Sequence, residues 1–173
     1  MQVDISSIRD TEGAGFQTVV SANFPPFHSA GEEIRYHQPV TAELEFTNTG
    51  KLILAQGLIN TVLTVACSRC LEPFNLELTM PFRLGYCENR EQDFDPLDQD
   101  LEIRTFDGNF IDIGPDVEET VILSLPMKFM CSPDCRGLCA QCGQNLNIQP
   151  CDCKHEQIDP RLAILREFLD QQQ

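Results

Sequence analysis

The sequence predicts an α+β fold whose core is an antiparallel β-sheet or a partly open barrel. Two short helices and a C-terminal cysteine-rich zinc-binding segment complete it. Three observations lead there: apolar and polar residues alternate between residues 39 and 87, two later segments carry helix start signals, and eight of nine cysteines occur in close pairs. At 173 residues, 42% of them hydrophobic, the chain suits one cored domain over residues 1–173.

The predicted strands lie on both sides of the first cysteine pair. Residues 40–47 alternate with the period of a half-buried strand. A turn at 48–50 leads to an extended run over 51–66, in which Gly57 suggests a bulge or a change of strand. After the cysteines, a third strand shows the same alternation at Phe74, Leu76, Leu78 and Met80. The three strands predict a meander with cysteines at one turn.

Later elements are shorter. Residues 101–104 and 109–113 are expected to form a hairpin around Asp107-Gly108. A helix is predicted from Gly114, because Pro115 and the following acids suit a first turn, and Pro126 ends it. A second helix is predicted from Asp159-Pro160, a cap followed by proline.

The charge distribution limits the classes of partner. The formal net charge is −15, and residues 88–119 hold twelve acidic residues against two basic ones. We interpret residues 88–100 as an exposed acidic loop, either a solvated linker or a docking surface for a basic partner. Nucleic-acid binders usually present a basic stripe. Contact with RNA would therefore need a small basic patch or a basic protein partner.

The cysteine pairs carry the most specific chemistry. Two thiolates must reach one ion at about 2.3 Å, which close spacing allows. Four pairs predict two zinc ions, with residues 131–155 as the zinc-binding segment. The nearest four would form one site and the remaining two pairs would meet across the fold. The predicted ligands are Cys67, Cys70, Cys131, Cys135, Cys139, Cys142, Cys151 and Cys153.

Other chemistries remain open at this stage. His155 can replace Cys151 or Cys153 as a ligand. The spacing of Cys135, Cys139 and Cys142 also matches that of an iron–sulfur cluster, the minor alternative. A thioredoxin-like thiol pair needs a helix after the cysteines, and the sequence after Cys70 predicts a strand. No nucleophile elbow, phosphate loop or paired acid in apolar surroundings is present, so we expect no enzyme and no small-molecule substrate.

Location follows from the same residues. The chain shows no secretory signal and no apolar run that could span a membrane, so we expect a cytoplasmic protein without membrane contact. A reducing compartment favours metal ligation over disulfides. A plastid location would require a transit peptide that this sequence does not show.

Residues 67–74 (Cys-Ser-Arg-Cys-Leu-Glu-Pro-Phe), 131–147 and 159–165 resemble the YceD family, the large ribosomal RNA subunit accumulation proteins of bacteria and plastids. The resemblance covers residues 40–169. It implies a non-catalytic role in making, processing or stabilising large-subunit ribosomal RNA. Expected partners are the RNA precursor, a basic large-subunit ribosomal protein, or both.

Basic residues near the cysteines are the predicted contacts with RNA or a protein partner: Arg69, Lys128, Arg136 and Lys154. A different function class also fits the cysteines. In it the chain is a zinc-dependent interaction module or a thiol redox sensor with no link to the ribosome.

Overall fold

The computed structural model describes residues 1–29, 31–88 and 101–153. These residues form nine strands and one helix. In chain order the elements are β1 (Gln2–Asp4), β2 (Gly15–Ala22), β3 (Phe27–Ser29), β4 (Glu32–Tyr36), β5 (Val40–Asn48), β6 (Ile53–Ala66), β7 (Pro73–Cys87), β8 (Ile103–Thr105), β9 (Phe110–Asp112) and α1 (Gly114–Leu123).

The hairpin of β6 and β7 is the centre of a seven-stranded, mostly antiparallel sheet. These strands pair over their full length, from Ile53 opposite Tyr86 to Ala66 opposite Pro73. The other side of β6 is shared by β5 and then β4, with β2 outside β5 and β3 beside β4. β8 runs parallel to β7. Within the described residues β2 and β8 do not pair with each other, so the sheet is open.

The alternating pattern places one face of the sheet in the core. On β5 the apolar residues of the pattern are buried while Glu43 and Glu45 are exposed. The predicted β5, β6 and β7 meander is therefore confirmed. The largest fully buried side chains of these strands include Phe46, Ile59, Leu63 and Tyr86. Strands β2 and β4 extend the sheet with sequences that the alternation argument had not assigned.

Gly57 does not mark a bulge or a change of strand, and that prediction is wrong. The registers of β6 with β5 and with β7 run unbroken through Gly57. The glycine is instead needed for close approach, because a Cβ built there would lie 2.0 Å from the backbone oxygen of Glu43. Glycine in a strand interior often marks such an approach of a neighbouring backbone.

The predicted hairpin around Asp107-Gly108 is also wrong as a pair of strands. A single bridge joins Asp107 to Phe110. Beyond it the two arms separate, with β8 pairing β7 and β9 pairing β1 in a two-stranded sheet. Both arms are only three residues long, so tertiary partners determine their pairing.

Helix α1 begins and ends close to the predicted positions and packs against β7. A buried polar network fixes it there. The Tyr86 hydroxyl donates to Asp116 Oδ2 at 2.7 Å, and Arg104 Nε donates to Asp116 Oδ1 at 3.0 Å. This network joins β7, α1 and β8. No helix of the described residues is long and apolar enough to cross a membrane.

The second predicted helix, Lys154, His155 and all but the first residue of the predicted acidic loop lie outside the described residues. Of that loop, Glu88 is described, and it forms an ion pair with Arg9.

Candidate metal centres

The turn of the central hairpin carries the first cysteine cluster. Cys67 and Cys70 lie in the turn between β6 and β7, and Cys131 and Cys135 lie in the segment after α1. We call these four residues the hairpin site. Their sulfur atoms all lie within 4.8 Å of one another. Three of the four residues are buried, and Cys131 is exposed.

The sulfur spacing of the hairpin site suits a single tetrahedral ion. The Sγ atoms of Cys67 and Cys135 are 3.8 Å apart, and those of Cys70 and Cys131 are 3.7 Å apart. Four sulfurs at about 2.3 Å from one zinc ion are about 3.8 Å from each other. These distances are far longer than a disulfide bond of about 2.05 Å. The donor set therefore fits zinc in a closed, four-ligand site.

The second cluster lies wholly within the C-terminal segment. It consists of Cys139, Cys142, Cys151 and Cys153, which we call the distal site, and its sulfur atoms also lie within 4.8 Å of one another. Cys139 is buried, Cys142 is exposed and the other two are half-buried. The distal site is thus closer to solvent than the hairpin site.

Both clusters use the same backbone turn at their Cys-x-x-Cys pair. In the hairpin site, Leu71 N donates to Cys67 O at 2.8 Å and Cys67 N donates to Glu72 O at 2.9 Å. In the distal site, Gly143 N donates to Cys139 O at 2.9 Å, and Cys139 N donates to Gln144 O at 2.8 Å. We call each such turn a knuckle. Its N–H groups point at the first sulfur of the pair, as thiolate ligation requires.

These N–H groups change the acidity of the first thiol of each knuckle. Burial raises the pKa of Cys67, but backbone N–H groups of Cys131, Cys70 and Arg69 outweigh burial and lower that pKa to about 6. Backbone N–H groups of Cys142 and Gln141 lower the pKa of Cys139 to about 6. Each site thus contains one thiol prepared to be a thiolate, which is the form that binds metal.

The partner thiols shift the opposite way. The hydrogen bond with Cys135 and desolvation raise the pKa of Cys131 to about 12. The hydrogen bond with Cys142 and desolvation raise the pKa of Cys153 to about 12. Neighbouring thiolates repel a further negative charge. A divalent cation would remove this obstacle, so the electrostatics favour a bound metal ion in both sites.

The hairpin site also attaches the C-terminal segment to the sheet through hydrogen bonds. Ser68 N donates to Phe129 O at 2.8 Å, and Leu138 N donates to Arg69 O at 3.1 Å. The Arg69 guanidinium donates to Cys135 O at 2.9 Å. The segment therefore contacts the turn through backbone groups as well as through sulfur.

Asn147 links the two sites and was missed by the sequence analysis. Its side-chain amide lies 3.3 Å from Cys135 Sγ, and its Oδ1 accepts from Arg136 N at 2.7 Å. The amide contact contributes to a lowered pKa of Cys135 against the effect of burial. An amide donor eleven to twelve residues from a ligand has no sequence pattern of its own, so spacing alone could not find it.

The iron–sulfur spacing is not used by one site. Cys135 belongs to the hairpin site, whereas Cys139 and Cys142 belong to the distal site. A cluster of several iron atoms also needs more widely separated sulfurs than a single ion does. Cys87 is buried at the end of β7 and belongs to neither group.

Three of the predicted contact residues are described, and all are exposed: Arg69, Lys128 and Arg136. Arg69 and Arg136 lie on the two chain segments that meet at the hairpin site, and Lys128 precedes Phe129, which contacts Ser68. Lys154 lies outside the described residues. The three described cations therefore surround the hairpin site.

Comparison with known proteins identifies the family. The family described as large ribosomal RNA subunit accumulation protein YceD matches residues 55–169, which include all eight clustered cysteines. The chain belongs to the YceD family. Relatives of this YceD protein include an uncharacterised protein of Mycobacterium tuberculosis, 30% identical over 173 residues, covering 98% of this chain and 81% of the relative.

Plant and Bacillus relatives extend the comparison. A chloroplastic protein of Arabidopsis thaliana, named a large ribosomal RNA subunit accumulation protein YCED homolog, is 28% identical over 165 residues, covering 78% of this chain and 50% of the relative. The uncharacterised protein YlbN of Bacillus subtilis is 27% identical, covering 80% of this chain and 79% of the relative. No solved structure matches this YceD protein.

Proposed function

We propose that this protein is a non-catalytic factor that supports the synthesis, processing or stability of large-subunit ribosomal RNA, with two structural zinc ions. The observation that supports this role is membership of a family described by large ribosomal RNA subunit accumulation. The plant relative carries the same description in its name. The expected action is on precursors of the large ribosomal subunit.

A structural role for zinc is supported by the ligand count. Structural zinc sites use four protein ligands, whereas catalytic sites keep an open position for water or substrate. Each cysteine cluster supplies four sulfurs within 4.8 Å. The hairpin site would hold the C-terminal segment on the sheet, and the distal site would fold that segment. The chemistry supplied by zinc here is cross-linking.

Charge indicates how the protein would meet its partners. Each zinc ion with four thiolates carries −2, so two filled sites take the formal charge from −15 to −19. Such a field attracts basic proteins and repels RNA over most of the surface. We propose that a basic large-subunit ribosomal protein, the RNA precursor, or both contact the exposed cations around the hairpin site, Arg69, Lys128 and Arg136, with Lys154 as a further contact.

The role can be tested by depletion and rescue. Cells lacking the protein should show a lower ratio of large- to small-subunit ribosomal RNA, and the wild-type gene should restore it. An unchanged ratio would contradict the role. The double variant Arg69→Glu/Arg136→Glu should fail to associate with large-subunit precursors while retaining two zinc ions. Normal association of that variant would contradict the contact surface.

The alternative, a redox sensor or an interaction module without a link to the ribosome, is supported by the solvent access of the distal site. It predicts reversible zinc release by peroxide with no change in ribosomal RNA levels. Measuring zinc and ribosomal RNA in the same peroxide-treated culture separates the two functions. Zinc loss without an RNA defect favours the sensor, and an RNA defect on depletion favours the assembly role.

A further inference from the structure

The two knuckles have the same backbone but differ at one residue. The position after the second cysteine has positive φ in both, 61° at Leu71 and 75° at Gly143. Glycine adopts this left-handed conformation freely because it has no Cβ. Leucine does not, since its Cβ crowds the following carbonyl oxygen. In the described part of the chain, Leu71 is the one non-glycine residue with positive φ.

Packing within the protein does not explain the leucine. The Leu71 side chain is 62% exposed, so little burial offsets the backbone strain. The distal knuckle shows that glycine supports the same hydrogen bonds. Strained residues persist where the strain serves a function. We propose that Leu71 is a contact residue, which the knuckle holds outwards for insertion into an apolar pocket of a protein partner.

Other exposed apolar side chains adjoin the same knuckle. Met130 is 44% exposed and precedes Cys131, whose sulfur lies 3.7 Å from that of Cys70. Ile148 is 75% exposed, and its N–H donates to Asn145 O at 3.1 Å. Asn145 in turn donates to the Glu72 side chain at 3.4 Å. Leu71, Met130 and Ile148 form what we call the knuckle surface.

The chemistry of the knuckle surface favours a protein over RNA. Proteins that read unpaired RNA stack bases on aromatic rings. The single aromatic residue of 129–153 is Phe129, and it is 6% exposed. Exposed aliphatic and methionine side chains instead suit a hydrophobic protein contact. The nearby cations are also balanced by Glu72, Asp134 and Asp152, so no strong positive field directs phosphate to this surface.

This inference rests on the proposed function for the source of the partner, a protein of the large-subunit precursor. The test compares full-length wild type, Leu71→Gly and a control, Val19→Ala, which truncates another exposed apolar residue on β2. Leu71→Gly should keep both zinc ions. Its Tm should be unchanged or raised by up to about 4 °C, since strain is relieved. Its association with precursor particles should fall at least tenfold, while Val19→Ala associates normally.

Two results would overturn the inference directly. Association of Leu71→Gly within twofold of wild type would remove the contact role. A lower Tm or lost zinc in Leu71→Gly would show that the leucine serves the fold. A photo-crosslinking amino acid at position 71 identifies the class of partner. Crosslinking to a ribosomal protein is expected, and crosslinking to RNA would contradict the proposal.

Failure of the proposed function gives a different pattern. If wild type does not associate with precursors at all, the ribosomal role fails, and any protein crosslinked at position 71 is purified and titrated with wild type and Leu71→Gly. A tenfold weaker affinity for the variant would retain the contact role of Leu71. Equal affinities, or no crosslinked protein, would overturn it.

Discussion

The Sγ atoms of Cys67 and Cys135 lie 3.8 Å apart although 68 residues separate them in sequence. This contact joins the turn of the central hairpin to the segment that carries the other cysteines. A metal ion there would close a long loop, whereas an ion in the distal site closes a loop of residues 139–153 within one segment. The two sites should therefore contribute unequally to the stability of the core.

Serine substitution should reveal this inequality. Cys135→Ser should lower the zinc content from two ions to one and the free energy of unfolding by about 3 kcal/mol, the scale of a cross-link that closes a long loop. Cys142→Ser should also remove one ion but cost the core under about 1 kcal/mol, because only residues 139–153 would open. Zinc content by mass spectrometry and chemical denaturation of the sheet provide the two readouts.

Cys87 supplies the control for that comparison. It is buried but lies in neither cluster, so Cys87→Ala should retain both zinc ions. Equal destabilisation by Cys135→Ser and Cys142→Ser would show that the hairpin site does not fasten the segment to the core in the way its geometry indicates.

The metal-free protein should respond to pH through its two lowered thiols. The pKa values of Cys67 and Cys139 fall from an ordinary value near 9 to about 6 on folding. A lowered pKa stabilises the folded state above the unfolded value, and that stabilisation is lost as pH falls through the folded value. The Tm of chelator-treated protein should therefore rise between pH 6 and pH 9.

Substitution assigns this pH effect to the thiols. Cys67→Ser and Cys139→Ser should each flatten the rise in Tm of the metal-free protein. Measurements should stop near pH 9, because the raised pKa values of Cys131 and Cys153 act in the opposite direction above it. An unchanged slope in both variants would mean that other groups cause the effect.

Much of the site could be predicted from sequence because its information is local. The cysteine spacing indicated two groups of four, and the alternation on β5, β6 and β7 placed the first pair in a turn. The partners of short strands could not be predicted. β1 pairs with β9 more than one hundred residues away, and a period of two identifies a strand but not its neighbour.

Strand β2 shows where a local signal was overlooked. Phe16, Thr18 and Val20 alternate with exposed residues, and the Phe16 ring stacks on Phe46 with centroids 5.4 Å apart. The strained backbone of Leu71 had no such signal, since nothing in a leucine indicates positive φ. It becomes predictable only when its knuckle is compared with that of Gly143.

The polar network under α1 should be a separate source of stability. Tyr86→Phe removes the hydroxyl that donates to the buried carboxylate of Asp116 at 2.7 Å. Losing a hydrogen bond to a buried charged group costs about 1–3 kcal/mol. Tyr36→Phe is the matched control, because the buried Tyr36 hydroxyl has no hydrogen-bond partner among the described residues. Urea denaturation should show Tyr86→Phe destabilised and Tyr36→Phe neutral or stabilised. The reverse order would contradict the network.

Gly57 provides the strictest test of the sheet geometry. A Cβ there would lie 2.0 Å from the Glu43 backbone oxygen, so Gly57→Ala must separate β5 from β6 near the middle of their pairing. Overpacking of this kind costs about 3 kcal/mol or more. Gly108→Ala is the control, since its φ is +73° but no atom lies within 4 Å of the added Cβ, and conformational strain alone costs about 1 kcal/mol. Urea midpoints at unchanged m-values would measure both. A Gly57→Ala protein as stable as Gly108→Ala would mean that β5 and β6 are not held at this separation.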